Sequence, residues 1–125
     1  MFDYFSHIFK LIMMSIRSFI YDRIVIDGYT EFMNKVFLEA IEDGSTILDI
    51  GIGTGWSMIK NGDLIKKKDV KIDGIDIDAD YCAACQFNID NASLQKNMSV
   101  NKINIYNYNT EKKYDYILFS DSYAV

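Results

Sequence analysis

The chain has 125 residues, of which half are apolar and a quarter are charged, and its formal net charge is −5. This length and composition predict one globular domain, and the acidic balance disfavours non-specific binding to nucleic acid phosphates. The first residues are interrupted by charges and lack a small-residue cleavage site, which excludes a typical signal peptide, so we expect a cytoplasmic protein.

Large apolar residues recur at three- and four-residue steps near the start of the chain, which predicts an amphipathic helix over residues 1–20. The segment has no run of roughly 18 uncharged apolar residues, so it is not expected to cross a bilayer. It could cover the rest of the domain, bind a partner, or lie on a membrane surface. Lys10 and Arg17 are its only firm positive charges, which disfavours the membrane.

Strands and helices alternate along residues 21–125, which we expect to form the domain proper. The predicted elements are a helix over 30–41, a strand over 46–50, a helix over 56–60, a strand over 71–77, a helix over 79–93, and strands over 103–106 and 116–120. This alternation predicts an α/β fold with a mainly parallel sheet.

The first predicted strand ends in three glycines, within the sequence Ile-Leu-Asp-Ile-Gly-Ile-Gly-Thr-Gly at 47–55. A backbone that leaves a buried strand and turns at once into a helix passes close to whatever lies beyond the strand, and glycine permits that approach. A dinucleotide-binding loop would carry its third glycine, or an alanine, at the position of Trp56, so a nicotinamide or flavin ligand is disfavoured. We expect Trp56 to pack against the sheet.

The second predicted strand carries a carboxylate, Asp76, near its end. A carboxylate there can accept hydrogen bonds from both hydroxyls of a ribose whose linked group lies over the glycines.

These residues resemble the motifs of the class I S-adenosylmethionine-dependent methyltransferases. Asp49 with Gly51, Gly53 and Gly55 matches the first motif of that family, and Asp76 matches its ribose-binding acid. Within the family the sequence is most similar to small-molecule methyltransferases of the ubiquinone-biosynthesis type, because Tyr21-Asp22-Arg23 and the segment 114–120 also match. The resemblance covers roughly residues 20–125.

The resemblance implies a Rossmann-like, doubly wound sheet of about four strands in the order 3-2-1-4. The family fold has seven strands, and its last three carry much of the acceptor pocket, so this chain is expected to be truncated relative to the family. The ligand would lie beyond the carboxyl ends of the strands, where the strand order reverses.

The implied cofactor is S-adenosylmethionine. Loop amides, aided by the positive end of the following helix, would bind the carboxylate of the cofactor, and Asp49 would attract its ammonium group. Asp76 would bind the ribose, and Ile77 would lie against the adenine. Asn107 or Asn109 could bond the adenine edge. The remaining candidates are Tyr21, which could close over the methionine end, Ser120, which faces the crevice, and Asp121, a possible general base or only the cap of a turn.

Three functions stay open at this point. They are an active methyltransferase for a small molecule, a catalytically silent cofactor-binding or regulatory subunit, and a dinucleotide-dependent oxidoreductase. The predicted fourth strand would be an apolar edge, which indicates a homodimer or a second polypeptide there. Cys82 and Cys85 are expected to be reduced thiols beside the core and not metal ligands, because the sole histidine, His7, is far away in sequence.

Overall fold

The computed structural model describes the backbone of residues 19–120 and the side chains from residue 29 to residue 120. Most of the predicted amphipathic helix, together with Asp121, lies outside the described residues, and so does the side chain of Tyr21. In the part that is described, no helix is both long enough and apolar enough to cross a membrane.

Four parallel strands form one sheet in the order β3-β2-β1-β4. The strands are β1 (Thr46–Ile50), β2 (Lys71–Asp76), β3 (Met98–Lys102) and β4 (Tyr116–Phe119). In the pairing register Ile50 lies beside Ile75 on one side and beside Phe119 on the other. The predicted α/β fold and strand order are confirmed, and β1 and β2 end side by side.

Within residues 19–120, four α-helices accompany the sheet, namely α1 (Phe19–Ala40), α2 (Trp56–Ile59), α3 (Gly62–Lys68) and α4 (Ala79–Asn91). Helix α1 includes more residues than the predicted helix over 30–41, because the glycine at position 28 costs only about 1 kcal/mol in a helix and does not end it. Helix α4 begins after Asp78, whose carboxylate accepts the amides of Asp80 and Tyr81 at 2.8 and 3.1 Å.

The prediction of the third strand over residues 103–106 was wrong. The strand is Met98–Lys102, and Ile105–Asn107 form a 3₁₀ turn after it. Strand β3 lies at the edge of the sheet, buries Met98 and leaves its last residues exposed, so apolar and polar residues alternate along it. This alternation indicates a strand less strongly than the two isoleucines at positions 103 and 105, which is why the prediction fell on the later segment.

The two faces of the sheet are covered unequally. The larger core lies on the face covered by the helices and includes Ile47 and Ile72. On the other face a small cluster of Leu48, Ile50 and Ile75 packs against residues of the segment between β3 and β4. Ile117 and Phe119, which pair with Leu48 and Ile50, stay 56 and 60% exposed.

Candidate functional site

The chain leaves β1 through residues 51–55, which we call the glycine bend. Gly51, Gly53 and Gly55 have φ angles of 72, 61 and 68°, in the left-handed region that residues with a side chain rarely adopt. A Cβ atom added to Gly55 would lie 2.8 Å from Sγ of Cys85. Both backbone angle and space therefore require glycine at the end of the bend.

The bend is held against the end of β2. The amides of Gly51 and Ile52 both donate to the carbonyl of Ile75, at 2.9 and 3.2 Å. The Ile52 side chain is buried over Gly74, where an added Cβ would lie 2.5 Å from its Cδ1 atom. Gly74 thus makes room for the bend, a role that sequence reasoning missed although a glycine inside a strand often marks such an approach.

The Asp76 carboxylate lies against the glycine bend. Its Oδ2 atom accepts the amide of Gly53 at 2.9 Å, and its Oδ1 atom accepts the amide of Asp78 at 2.9 Å. A carboxylate has about four acceptor positions, so each oxygen can still accept a ligand hydroxyl.

Asp49 is the buried acid of the site, with only 1% of its surface exposed. Ser120, directly after β4, donates its hydroxyl to Oδ1 of Asp49, and its amide bonds the carbonyl of Ile50 at 3.1 Å. The structure therefore brings together the ends of β1, β2 and β4 with Asp49, Asp76, Ser120 and the glycine bend.

Helix α4 supports the bend through two side chains that sequence reasoning did not assign to the site. The Asn88 amide donates to the carbonyl of Thr54 at 3.0 Å, and Cys85 is packed beneath Gly55. Burial, with the nearby charge of Asp49, raises the pKa of Cys85 to about 12, so this thiol is a packing group and not a nucleophile at neutral pH. Burial also raises the pKa of the half-buried Cys82.

Four further residues that the sequence analysis singled out lie in different surroundings. Ile77 is 66% exposed next to Asp76 and presents an apolar surface. Asn107 ends the 3₁₀ turn instead of following a strand directly, and the exposed Asn109 lies farther along the same segment. The expectation that Trp56 packs against the sheet was wrong, because its side chain is 47% exposed and lies 5.4 Å from the Lys60 ammonium.

The comparisons with solved structures identify the same architecture. YjhP from E. coli aligns with 17% identity and a TM-score of 0.60, over 72% of this chain and 35% of that one. A methyltransferase from Thiobacillus denitrificans, solved with S-adenosyl-L-homocysteine, aligns with 16% identity and a TM-score of 0.58, over 69% of this chain and 34% of that one. Coclaurine N-methyltransferase, bound to N-methylheliamine and SAH, aligns with 22% identity and a TM-score of 0.60, over 72% and 26% of the two chains.

The strand order and the glycine bend define a class I methyltransferase fold. This chain spans 26–35% of the length of the three solved structures. A family model described as "Methionine biosynthesis protein MetW" matches residues 32–124. The chain belongs to that family. Comparison with curated proteins gives no significant match.

Proposed function

We propose that this chain binds S-adenosylmethionine and transfers its methyl group to a small-molecule acceptor. The observation that carries the proposal is the 2.9 Å hydrogen bond from the Gly53 amide to Asp76, which joins the glycine bend to the acid at the end of β2. The membership in a methyltransferase-like family and the SAH-bound neighbours support it.

The two ends of the cofactor would have different partners. Asp76 would accept the ribose hydroxyls, and Ile77 would pack against the adenine, with Asn107 or Asn109 at the adenine edge. Four amides of the bend, those of Gly51, Ile52, Gly53 and Gly55, already donate to protein acceptors. The Thr54 amide would therefore bind the carboxylate of the methionine end. We assign no part of this to a helix dipole, because α2 has only four residues.

The buried acid would act on the ammonium group. Asp49 can attract it directly or through water, and the hydrogen bond from Ser120 fixes the carboxylate for that role. Tyr21 is proposed to close over the methionine end. A dinucleotide is disfavoured because the half-exposed indole of Trp56 occupies the position at which that motif needs a glycine or alanine.

The reaction needs alignment more than acid or base catalysis. When bound, S-adenosylmethionine would supply a methyl group on a positively charged sulfur, which makes S-adenosylhomocysteine a good leaving group. The protein's part is to hold donor and acceptor in line. An acceptor that must lose a proton also needs a base, for which Asp121 is the proposed candidate.

Titration calorimetry tests cofactor binding. The purified protein should bind S-adenosylhomocysteine and not NAD⁺. Asp76→Asn should weaken binding roughly 10- to 100-fold, since a lost hydrogen bond to a charged group costs about 1.5–3 kcal/mol. Asp80→Asn removes the same charge from an exposed position nearby in α4 and should change affinity less than about twofold. Equal loss in both variants, or tighter binding of NAD⁺, would refute the proposal.

A second candidate is a cofactor-binding subunit that transfers nothing alone. It is favoured because the chain spans only 26–35% of the length of the solved structures named above. Transfer of the tritium-labelled methyl group from S-adenosylmethionine to compounds in a mixture of cell metabolites separates the two candidates. Binding without turnover supports the subunit, whereas turnover supports the enzyme.

We further propose that β4 meets a second copy of the chain or another polypeptide. In the described part of the chain β4 pairs only with β1, and Ile117 and Phe119 expose apolar surface beside that edge. Size-exclusion chromatography should show a dimer, or a larger species with a co-purified partner. A stable monomer at micromolar concentration would contradict this assignment.

A further inference from the structure

A concave site lies at the opposite end of the sheet from the glycine bend. Its volume is about 460 Å³, within the range of small-molecule sites. We call it the basal cavity, since its walls come from the amino ends of the strands, with Thr46 opening β1, Lys71 opening β2 and Met98 opening β3.

Four lysines line the basal cavity although the whole chain is acidic. They come from three separate parts of the chain and are Lys71, Lys96, Lys112 and Lys113. Two of them have carboxylate partners. The ammonium of Lys71 lies 3.0 Å from Asp69, and that of Lys112 lies 3.1 Å from Asp73.

The other two lysines are not neutralised. Lys96 and Lys113 are exposed, and no carboxylate of the described residues pairs with either. The nearby Asp115 carboxylate accepts the amide of Thr46, a residue of the cavity wall, at 2.9 Å and forms no ion pair with either lysine. The cavity rim therefore carries unpaired positive charge.

The one acid that lines the cavity is held by its neighbours. Asp73 accepts the Tyr114 hydroxyl at 2.7 Å, the Ser99 hydroxyl at 3.0 Å and the Lys112 ammonium. These three donors stabilise the negative charge of the Asp73 carboxylate. The Tyr114 ring and Met98 add apolar wall, so the cavity offers both cationic and apolar contacts.

We propose that the basal cavity binds a small organic phosphate. Lysine ammonium groups are compact point charges that suit phosphate oxygens, and the apolar wall suits an organic body. Carboxylates share part of this chemistry, so the experiment includes one. The basal cavity and the glycine bend lie at opposite ends of β1, which are four residue steps, or about 13 Å, apart. The proposal for the cavity therefore does not rest on the proposed methyl transfer.

Nitrogen-15 NMR of the full chain tests the proposal, with phenyl phosphate, inorganic phosphate and benzoate as probes. Phenyl phosphate should bind most tightly, because it combines two negative charges with an apolar ring. Its addition should shift the amides of residues 95–99 and 112–114 and leave those of the glycine bend unchanged. Binding should weaken with added salt.

The double variant Lys96→Gln/Lys113→Gln should weaken phenyl phosphate binding roughly 30-fold, because each of the two lost charges contributes about 1 kcal/mol, or about fivefold, at contact distance in water. The matched control is Lys35→Gln/Lys67→Gln, which removes two exposed lysines from α1 and α3. It should change affinity less than twofold, and both variants should bind S-adenosylhomocysteine as the unmodified protein does.

Three results would overturn the proposal. They are the absence of binding by all three probes, an equal loss in the control variant, and benzoate binding as tightly as phenyl phosphate. The second would indicate non-specific ion pairing, and the third would assign the cavity to carboxylates. Loss of S-adenosylhomocysteine binding alone would bear on the proposed function and not on this site.

Discussion

The hydroxyl of Ser120 donates to the carboxylate of Asp49 across two neighbouring strands, from residues 71 positions apart in the sequence. The acceptor is almost completely buried, so this contact satisfies a charged group that water does not reach. Because Ser120 is also bonded through its amide to Ile50, the ends of β4 and β1 are fixed relative to each other.

Replacing Ser120 by alanine should lower the free energy of unfolding by about 1–3 kcal/mol, because a buried carboxylate loses a donor. Urea denaturation measures this change. Ser120→Thr keeps a hydroxyl and should retain most of the stability. If the alanine variant were as stable as the unmodified protein, the bond to Asp49 would not contribute to the fold.

A methyl group at position 74 should displace the glycine bend. Gly74→Ala places Cβ against the Cδ1 and Cγ2 atoms of Ile52, at 2.5 and 2.9 Å, and such overpacking costs about 1–3 kcal/mol. Because the bend carries the Gly53 amide, affinity for S-adenosylhomocysteine should fall as well. Denaturation and calorimetry on the same variant measure both effects.

A double-variant cycle identifies the contact responsible. Ile52→Ala removes the clashing atoms but opens a cavity, so alone it should cost about 2–5 kcal/mol. Combined with Gly74→Ala it should cost less than the sum of the single changes. Gly74 does not have a positive φ, so backbone strain does not contribute to the cost of Gly74→Ala. Strict additivity at positions 52 and 74 would show that they do not meet.

The sequence was most informative where a local pattern has one physical cause. Three glycines after an apolar strand predicted a bend, and the structure gives all three positive φ. Alternation of strands and helices predicted the parallel sheet. These features depend on neighbours in the chain, so they can be read without knowing the tertiary structure. The order of the strands, in contrast, was implied by the resemblance to a known family.

Contacts between distant residues could not be predicted in this way. Nothing local to Asn88 indicates that its amide bonds Thr54, and nothing local to Cys85 indicates that it lies beneath Gly55. The edge strand β3 was misplaced because its polar residues face outward, and Trp56 was assigned to the core from its size alone. In each of these cases the tertiary environment decides.

Lys68 should stabilise the end of helix α1. Its ammonium donates to the carbonyls of Leu38 and Glu39 at 2.6 and 3.3 Å and also to that of Ile41, which satisfies acceptors at a helix terminus. Lys68→Met should therefore lower the free energy of unfolding by about 1–2 kcal/mol. Lys67→Met, on the exposed neighbour, should change it by less than about 0.5 kcal/mol. Equal effects would contradict a specific role for Lys68.

The pH dependence of stability should report on Asp73. Burial raises the pKa of its carboxyl, but hydrogen bonds from Tyr114, Lys112 and Ser99 outweigh burial and hold the pKa below its ordinary value. A carboxyl with a lowered pKa in the folded state stabilises the fold above its unfolded pKa, about 3.9, and loses that contribution as the pH falls through the folded value.

Unfolding curves should therefore show the stability advantage of the unmodified protein over Asp73→Asn shrinking as the pH falls below about 4. Tyr114→Phe removes the donor at 2.7 Å and should make this acid dependence shallower. If Asp73→Asn lost stability with falling pH as steeply as the unmodified protein, the hydrogen bonds to Asp73 would not be the cause.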